Sequence, residues 1–471
     1  MSSQHSLLVQ LPEACLLAVL RCCADDLQAL FSAARAHSRL YHAASLALDS
    51  IQLTDTHQHQ LDGMLLYLAT HGQHVGSVNL KGFAEYEDRT TIRQLPPNLQ
   101  LTSLQLDRFH VQLQPGDGFQ GVLGAAASVA ALKQLCLRNC ELHDRHRSLA
   151  ALLELRTVLE HLSITGVTLG LGMLRASCST DVLQQLQCLT HLEFDEAVTF
   201  QGPTKAPATL HFLQALTRLA DLRLVQEYDR PRSWRESTDY TITADMLSDN
   251  LTRLELFEAH IETGALAGKT LLQHLNLRRC ASTDIAAGTA YLLLPLQHMQ
   301  QLTHLDLNVS HIVGPQATIP AAAFSALTAS SGLQYLRITG TILPEGVWQH
   351  VFPAGRQLPR LQELCVTYIS HPSGSPTQFP EGSRLVSCCP GLQALVYMRL
   401  QYSAGQLAAL RGLTGLHKLV LREVEGSTGG EIGEVGQLTG LRRLTLCTKH
   451  TIEGSLQLTK LQHLTSLDYS Y

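Results

Sequence analysis

Aromatic and charged side chains are scarce in this 471-residue chain: rings supply 5% of residues and Asp, Glu, Lys and Arg together 16%, with two tryptophans in all. That composition fits a core packed with aliphatic side chains better than a compact catalytic domain. Basic excess is also missing. With a formal net charge of -5, the chain lacks the electrostatic footprint of a nucleic-acid binder, and no nucleic-acid partner is expected. No run of eighteen apolar residues occurs, so no membrane-spanning helix is expected. The first residues lack the basic stretch of a secretory signal, and Pro12-Glu13 interrupts their apolar run. Twelve cysteines are present, but without framework spacing. The adjacent pairs Cys22-Cys23 and Cys388-Cys389 are not the C-x-x-C of zinc or redox sites. A reducing compartment, cytoplasm or nucleus, is the expectation. There is no H-E-x-x-H, no phosphate-gripping glycine loop and no triad. His161, His191, His274 and His304 share the first outward column and read as repeat drift, which also accounts better than a metal site for His304 with Asp306. No catalytic residue, metal or cofactor is expected, and the chain is not expected to be an enzyme.

Leucine is what the chain has in abundance, and it recurs in a module seen most plainly in Leu302-Thr303-His304-Leu305-Asp306-Leu307. The leading apolar residues are Val75, Leu101, Leu132, Leu159, Leu189, Leu219, Leu251, Leu272, Leu302, Leu333, Leu361, Leu392, Leu416, Leu441 and Leu464. Intervals run from 21 residues (Leu251 to Leu272) to 32 (Leu219 to Leu251). Further apolar residues stand three and five places on, as in Leu361, Leu364 and Val366, an alternation that places them on one face of a short strand. One unit cannot fold alone. Burying three or four aliphatic side chains contributes roughly 1.5–3 kcal/mol each, whereas ordering some 25 residues costs about 1–2 kcal/mol per residue. Stacking is required, so the period predicts a solenoid of about fifteen units with a curved parallel sheet inside and helices and loops outside. Helix candidates between strands are residues 121–131, 149–159, 180–189 and 208–219, with less helix expected beyond Leu392. Residues 51–100 fit the repeat poorly, and 81–93 reads as a charged loop. No polar cap follows Leu464, so the expectation is that the last layer of leucines is covered by a partner or that the sequence continues beyond Tyr471.

Residues 7–48 follow a different pattern. Leu11-Pro12-Glu13 precedes Leu16, Leu17, Val19 and Leu20. Asp25-Asp26 starts a second helix carrying Leu27, Leu30, Phe31 and Ala34, and Arg35, Arg39, Leu40 and Tyr41 lie in a third. These features, in this order, resemble the F-box, the helical motif of SCF ubiquitin ligase substrate receptors, and Leu48-x-x-Ile51-x-Leu53 joins the helices to the repeats as in F-box proteins with leucine-rich repeats. Departures are Ala33 and His37, where the family carries valine and tryptophan. Eight places after the leading leucine, Cys140 and Cys280 resemble the cysteine-containing repeat subclass. The expected architecture is thus an F-box-like three-helix segment (1–50) followed by a leucine-rich-repeat solenoid (51–471). The resemblance implies that Leu11, Pro12, Leu16, Leu17, Leu20, Leu27 and Leu30 bind the SCF adaptor.

Positions two, four and six after each leading leucine face out of the sheet, where solenoids commonly bind. There the sequence places Glu193, Arg223, Arg253, Glu255, Arg278, Asp306, Tyr335 and Arg337, then an apolar strip of Ala394, Val396, Met398 and Val420. Such a face fits a protein or peptide site, and equally a mixed-charge surface that merely keeps the sheet soluble. Two insertions, 226–240 with Trp234 among arginines and 370–382 rich in Pro, Ser and Gly, are further contact candidates. Arg223, Arg253 and Arg278 would converge if the array held an anion. The resemblance implies a substrate-recognition subunit positioning a target for ubiquitin transfer. The alternative is a repeat scaffold without a ubiquitin link.

Overall fold

A computed structural model describes Cys15–Leu16 and residues 49–82, 90–112, 122, 130–143, 149–169, 174–178, 180–195, 198–200, 208–225, 240–282, 293–308, 320–339, 343–344, 346–367, 381–398, 406–422, 434–447 and 461–470. Most of the F-box-like segment, and Trp234 with both insertions but for Tyr240 and 381–382, lie outside these residues. Leu16 is buried.

The chain divides into two compact units, one reaching Lys205 and one running chiefly from Arg235 to Tyr471, with short pieces exchanged around residues 206–234. The first carries the parallel strands Ser50–Thr56, Ser77–Gly82, Ser103–Asp107, Gln134–Arg138, His161–Thr165 and His191–Asp195. In the second, Arg253–Phe257, His274–Arg278, His304–Asn308, Tyr335–Thr339, Glu363–Thr367, Ala394–Met398, Lys418–Arg422, Arg443–Cys447 and Ser466–Ser470 pair in chain order. Asp221–Val225 is the strand at which the units divide.

Register follows the leucines in the second unit without a slip, whereas the pairing of Ser50–Thr56 with Ser77–Gly82 shifts between Leu53 and Thr56. Leu254, Leu275, Leu305, Leu336, Leu364, Leu395 and Leu419 are paired successively, and all are buried. A one-residue shift would turn every one of them to solvent, which is why the alternation fixes the pairing. Phe194 and Tyr397 take leucine positions in their strands and are fully buried too. Backbone bonds reinforce the stack at the strand entrances. The carbonyl of Gln273 accepts from both Thr303 N–H (2.8 Å) and His304 N–H (3.0 Å), and the same fork recurs at Gly76, Thr102, Lys133, Glu160, Ala220, Thr252 and Thr303. Threonine at the first of these positions adds its hydroxyl to that carbonyl, as in Thr102 to Gly76 (3.0 Å), Thr252 to Ala220 (3.1 Å) and Thr303 to Gln273 (3.0 Å).

After several of these strands the chain turns through one left-handed residue: Arg108, Asn139 and Gly166 in the first unit, Glu258 and Arg279 in the second. The residue that follows turns inward. At two such places it is cysteine, whose thiol donates to the preceding coil: Cys140 to Leu106 O (3.3 Å) and Cys280 to Leu256 O (3.5 Å). Beyond the turns lie short second strands. Thr91–Ile92, His110–Gln112, Glu141–His143 and Thr168–Leu169 form one parallel ladder, and Ala208–Thr209, Tyr240–Ile242, Ala259–Ile261 and Ala281–Ser282 another.

The connections correct the expected helices. Leu149–Leu155 and His211–Ala215 are 3₁₀ turns, and Thr180–Gln184 is a single α turn. Of residues 121–131, 122 and 130–131 are described and helical. In Leu149–Leu155 the buried Leu152 and Leu155 stand three apart, a spacing that a 3₁₀ turn satisfies as well as an α-helix does. Beyond Leu392, where less helix is expected, Gln406–Ala409 continues as Leu410–Gly412, and after it only residues 434–435 are helical among those described. The α-helix Gln58–His71 was not anticipated, although Leu61, Met64 and Leu68, all buried, carry its period. Residues 91–92, read as part of a loop, begin the first unit's second ladder.

Candidate recognition face

Along several main strands, side chains alternate between a buried aliphatic residue and a half-exposed one, as in Arg253–Phe257, His274–Arg278 and Tyr335–Thr339, while others, such as Glu363–Thr367 and Ala394–Met398, bury outward positions as well. The half-exposed set makes the outward face, and parallel pairing lines its residues up in columns about 4.8 Å apart.

In the second unit the first column contains His274, His304 and Tyr335, and they form a stack. The rings of His274 and His304 lie 4.1 Å apart and those of His304 and Tyr335 4.0 Å apart, with planes within 11° and 2° of parallel. In the first unit His161 and His191 stack at 3.8 Å. The histidines that looked like drift are therefore packing pieces. Burial, then the neighbouring His304 and the cations Arg253 and Arg223, lower the His274 pKa to about 3 against the opposing pull of Asp221. Burial likewise lowers His304. Tyr335 is raised to about 12 by burial, and then by the charge of Asp306. No group of three or more His, Cys, Asp or Glu among the described residues is arranged to hold a metal ion.

The second column is ionic. Arg223 clasps Asp221 through Nε (3.0 Å) and Nη2 (2.7 Å), and stands 3.8 Å from Glu255. Glu255 also takes the guanidinium of Arg253 (Nε, 2.7 Å) and the amide of Asn276 (3.4 Å). Asp306 is buried and accepts from Arg278 Nε (3.0 Å) and Nη2 (2.7 Å), with Arg337 3.9 Å away. In the first unit Glu193 accepts from Ser163 (2.7 Å) and stands 3.9 Å from Arg138. The charged residues singled out in the second unit are thus brought together, but as carboxylate-locked guanidiniums. Arg223, Arg253 and Arg278 do not converge on a common anion site, because each is held by its own carboxylate.

The apolar strip is more covered than its sequence implies. Ala394 and Val396 are buried, whereas Met398 and Val420 are half-exposed. Lys418 reaches across the strand of Ala394 to Glu363, with Nζ 3.6 Å from Oε1. Beside this bridge lies a recess of about 280 Å³, running from Tyr335 past Glu363 and Ala394 to Lys418, with Gln362 and Gln393 at its edge. Sequence reasoning missed it, although an alanine between two long charged residues in one column was the available signal. A larger recess of about 550 Å³ lies between Arg411 and His463, off the main columns. Among the described residues no helix is long and apolar enough to cross a membrane.

Leucine columns, strand register and repeated turns define a leucine-rich-repeat protein. Among solved structures the chain is similar to an internalin, inlF, from Listeria monocytogenes, at 12% identity over 94% of each chain with a TM-score of 0.42. It is similar to the functional domain of InlJ from the same organism at 14% identity, covering 86% of this chain and 74% of that one, TM-score 0.42. TLR13, in complex with ssRNA13, is matched at 16% identity over 92% of this chain and 58% of that one, TM-score 0.46. No protein-family model matches the sequence, and no curated protein matches it.

Proposed function

We propose that the chain is a non-catalytic leucine-rich-repeat scaffold that holds a protein partner on the outward face of its second unit. The observation that carries this reading is the locked order of that face. Its guanidiniums are paired, its rings are stacked and Met398 and Val420 lie at the margin, so a partner meets a surface whose side chains are already ordered. Neither nucleic acid nor a membrane surface is needed for this role, and the proposed setting is the cytoplasm or nucleus. Crosslinking coupled to mass spectrometry on partner complexes is expected to place crosslinks around Lys418. Crosslinks confined to other segments would remove the reading.

The N-terminal sequence supports a finer form, in which the scaffold is the substrate receptor of an SCF-type ubiquitin ligase. Leu11, Pro12, Leu16, Leu17, Leu20, Leu27 and Leu30 would bind the adaptor, and the chain would act through proximity, holding a target near an activated ubiquitin. A pull-down with the adaptor tests it. Binding lost on Leu11→Asp is expected, and absence of binding at micromolar concentration leaves the scaffold alone.

A further inference from the structure

We infer that the recess beside Tyr335 seats an arginine side chain of a protein partner, with an aliphatic neighbour in the partner reaching Val420 and Met398. This rests on the reading of the face as a protein-binding surface and adds the chemistry of what is bound.

Size comes first. At about 280 Å³ the recess falls at or below the roughly 300–1,000 Å³ of small-molecule and cofactor sites, and suits one long side chain. Its space arises where Ala394 interrupts a column of larger residues, Tyr335, Glu363 and Lys418. One side of the Tyr335 ring is covered by His304 at 4.0 Å, and the recess lies toward Glu363 on the next strand.

Charge decides the guest. Among the described carboxylates of this face, Asp221, Glu255 and Asp306 each hold a guanidinium with a contact of 3.0 Å or less. Glu363 has instead a lysine at 3.6 Å, and both members of that pair are 34% exposed. Exposed pairs of this kind contribute no more than about 1 kcal/mol, so a better cation displaces the lysine readily. A guanidinium offers a planar fork for the carboxylate, a flat face for the ring and spare N–H groups for the side-chain amide oxygens of Gln362 and Gln393. Attraction between cation and ring adds to this. An acidic guest would find Lys418 but would lie against Glu363, which repels it. A partner lysine offers a point charge in place of a plane. Val420 stands two residues along its strand from Lys418, about 7 Å away, within reach of a neighbouring partner residue.

The test is selection of a displayed library of random dodecamer peptides on the full chain, followed by resynthesis of enriched peptides. Arginine beside an aliphatic residue is the expected consensus, with binding weakened at least tenfold when that arginine becomes citrulline or when the protein carries Glu363→Gln. Lys418→Ala is expected to keep or strengthen binding, because it removes the competitor for Glu363. Unchanged melting temperatures will show that both variants fold. Enrichment of acidic peptides that are lost on Lys418→Ala overturns the inference, as does arginine-peptide binding indifferent to Glu363→Gln. Peptides without arginine that still respond to Val420→Asp overturn it too, but leave the protein-binding reading standing. Failure to select any peptide sinks both.

Discussion

Gly166 shows how much one residue's conformation contributes to a coil. It is left-handed, with φ of 63°, its N–H donates to the buried carboxylate of Asp195, and a Cβ there would collide with the Asn139 side chain. Gly166→Ala is expected to destabilise the protein by about 1–3 kcal/mol, from the backbone penalty together with the clash, read as a lower calorimetric melting temperature. The equivalent places hold Arg108, Asn139, Glu258 and Arg279. Four residue types share a conformation that favours glycine, so the turn was not legible residue by residue. Cys140 and Cys280, by contrast, were legible as special positions. What sequence could not supply was their purpose, the donation of a thiol hydrogen to a carbonyl of the preceding coil.

At the scale of the element, the His274–His304–Tyr335 column makes stability depend on pH with a definite sign. Unfolded, His274 titrates near 6.5; folded, it titrates near 3 because burial and the flanking His304, Arg253 and Arg223 oppose its proton, with Asp221 working the other way. Between these values the unfolded chain binds a proton that the folded chain refuses. This contribution to stability is therefore complete above about pH 6.5 and declines as pH falls toward 3. His274→Gln is expected to flatten that part of the profile, seen as a smaller drop in melting temperature than the parent shows from pH 7 to pH 4. In the ionic column, Asp306 is buried while the side chains of Arg278 and Arg337 are about a third exposed. Asp306→Asn leaves both cations without their carboxylate. Removal of one member of a fully buried pair costs about 3–5 kcal/mol, and solvent around the arginines reduces this to about 2 kcal/mol, measurable by urea denaturation. Short elements were the hardest to read. Leu149–Leu155 has an apolar pattern that suits an α-helix equally well, because the three-residue spacing of the buried Leu152 and Leu155 serves either helix type.

Over the whole molecule, stability resides in contacts between consecutive coils. Leu305 is buried between Leu275 and Leu336, so Leu305→Ala removes packing from three coils at once. A loss of about 2–5 kcal/mol is expected. Hydrogen exchange should show protection falling first in His274–Arg278, His304–Asn308 and Tyr335–Thr339, since nearest neighbours carry the coupling in such arrays. Equal loss of protection across every strand of the second unit would contradict that local view.

The sequence by itself determined the repeat, the positions of the main strands from Leu101 onward, their register and which of their residues turn inward as leucine-column positions. Each of these follows from an alternation of period two repeated often enough to leave one self-consistent stack. It also named most of the outward residues, including Tyr335, Arg337 and Asp306. Tertiary structure alone decided how those residues meet: which carboxylate holds which arginine, that the histidines stack, that Ala394 and Val396 are covered, and that a recess opens beside Glu363. These outcomes depend on side chains from strands some 20–30 residues apart, whose reach and competition for one another have no counterpart in the spacing along the chain.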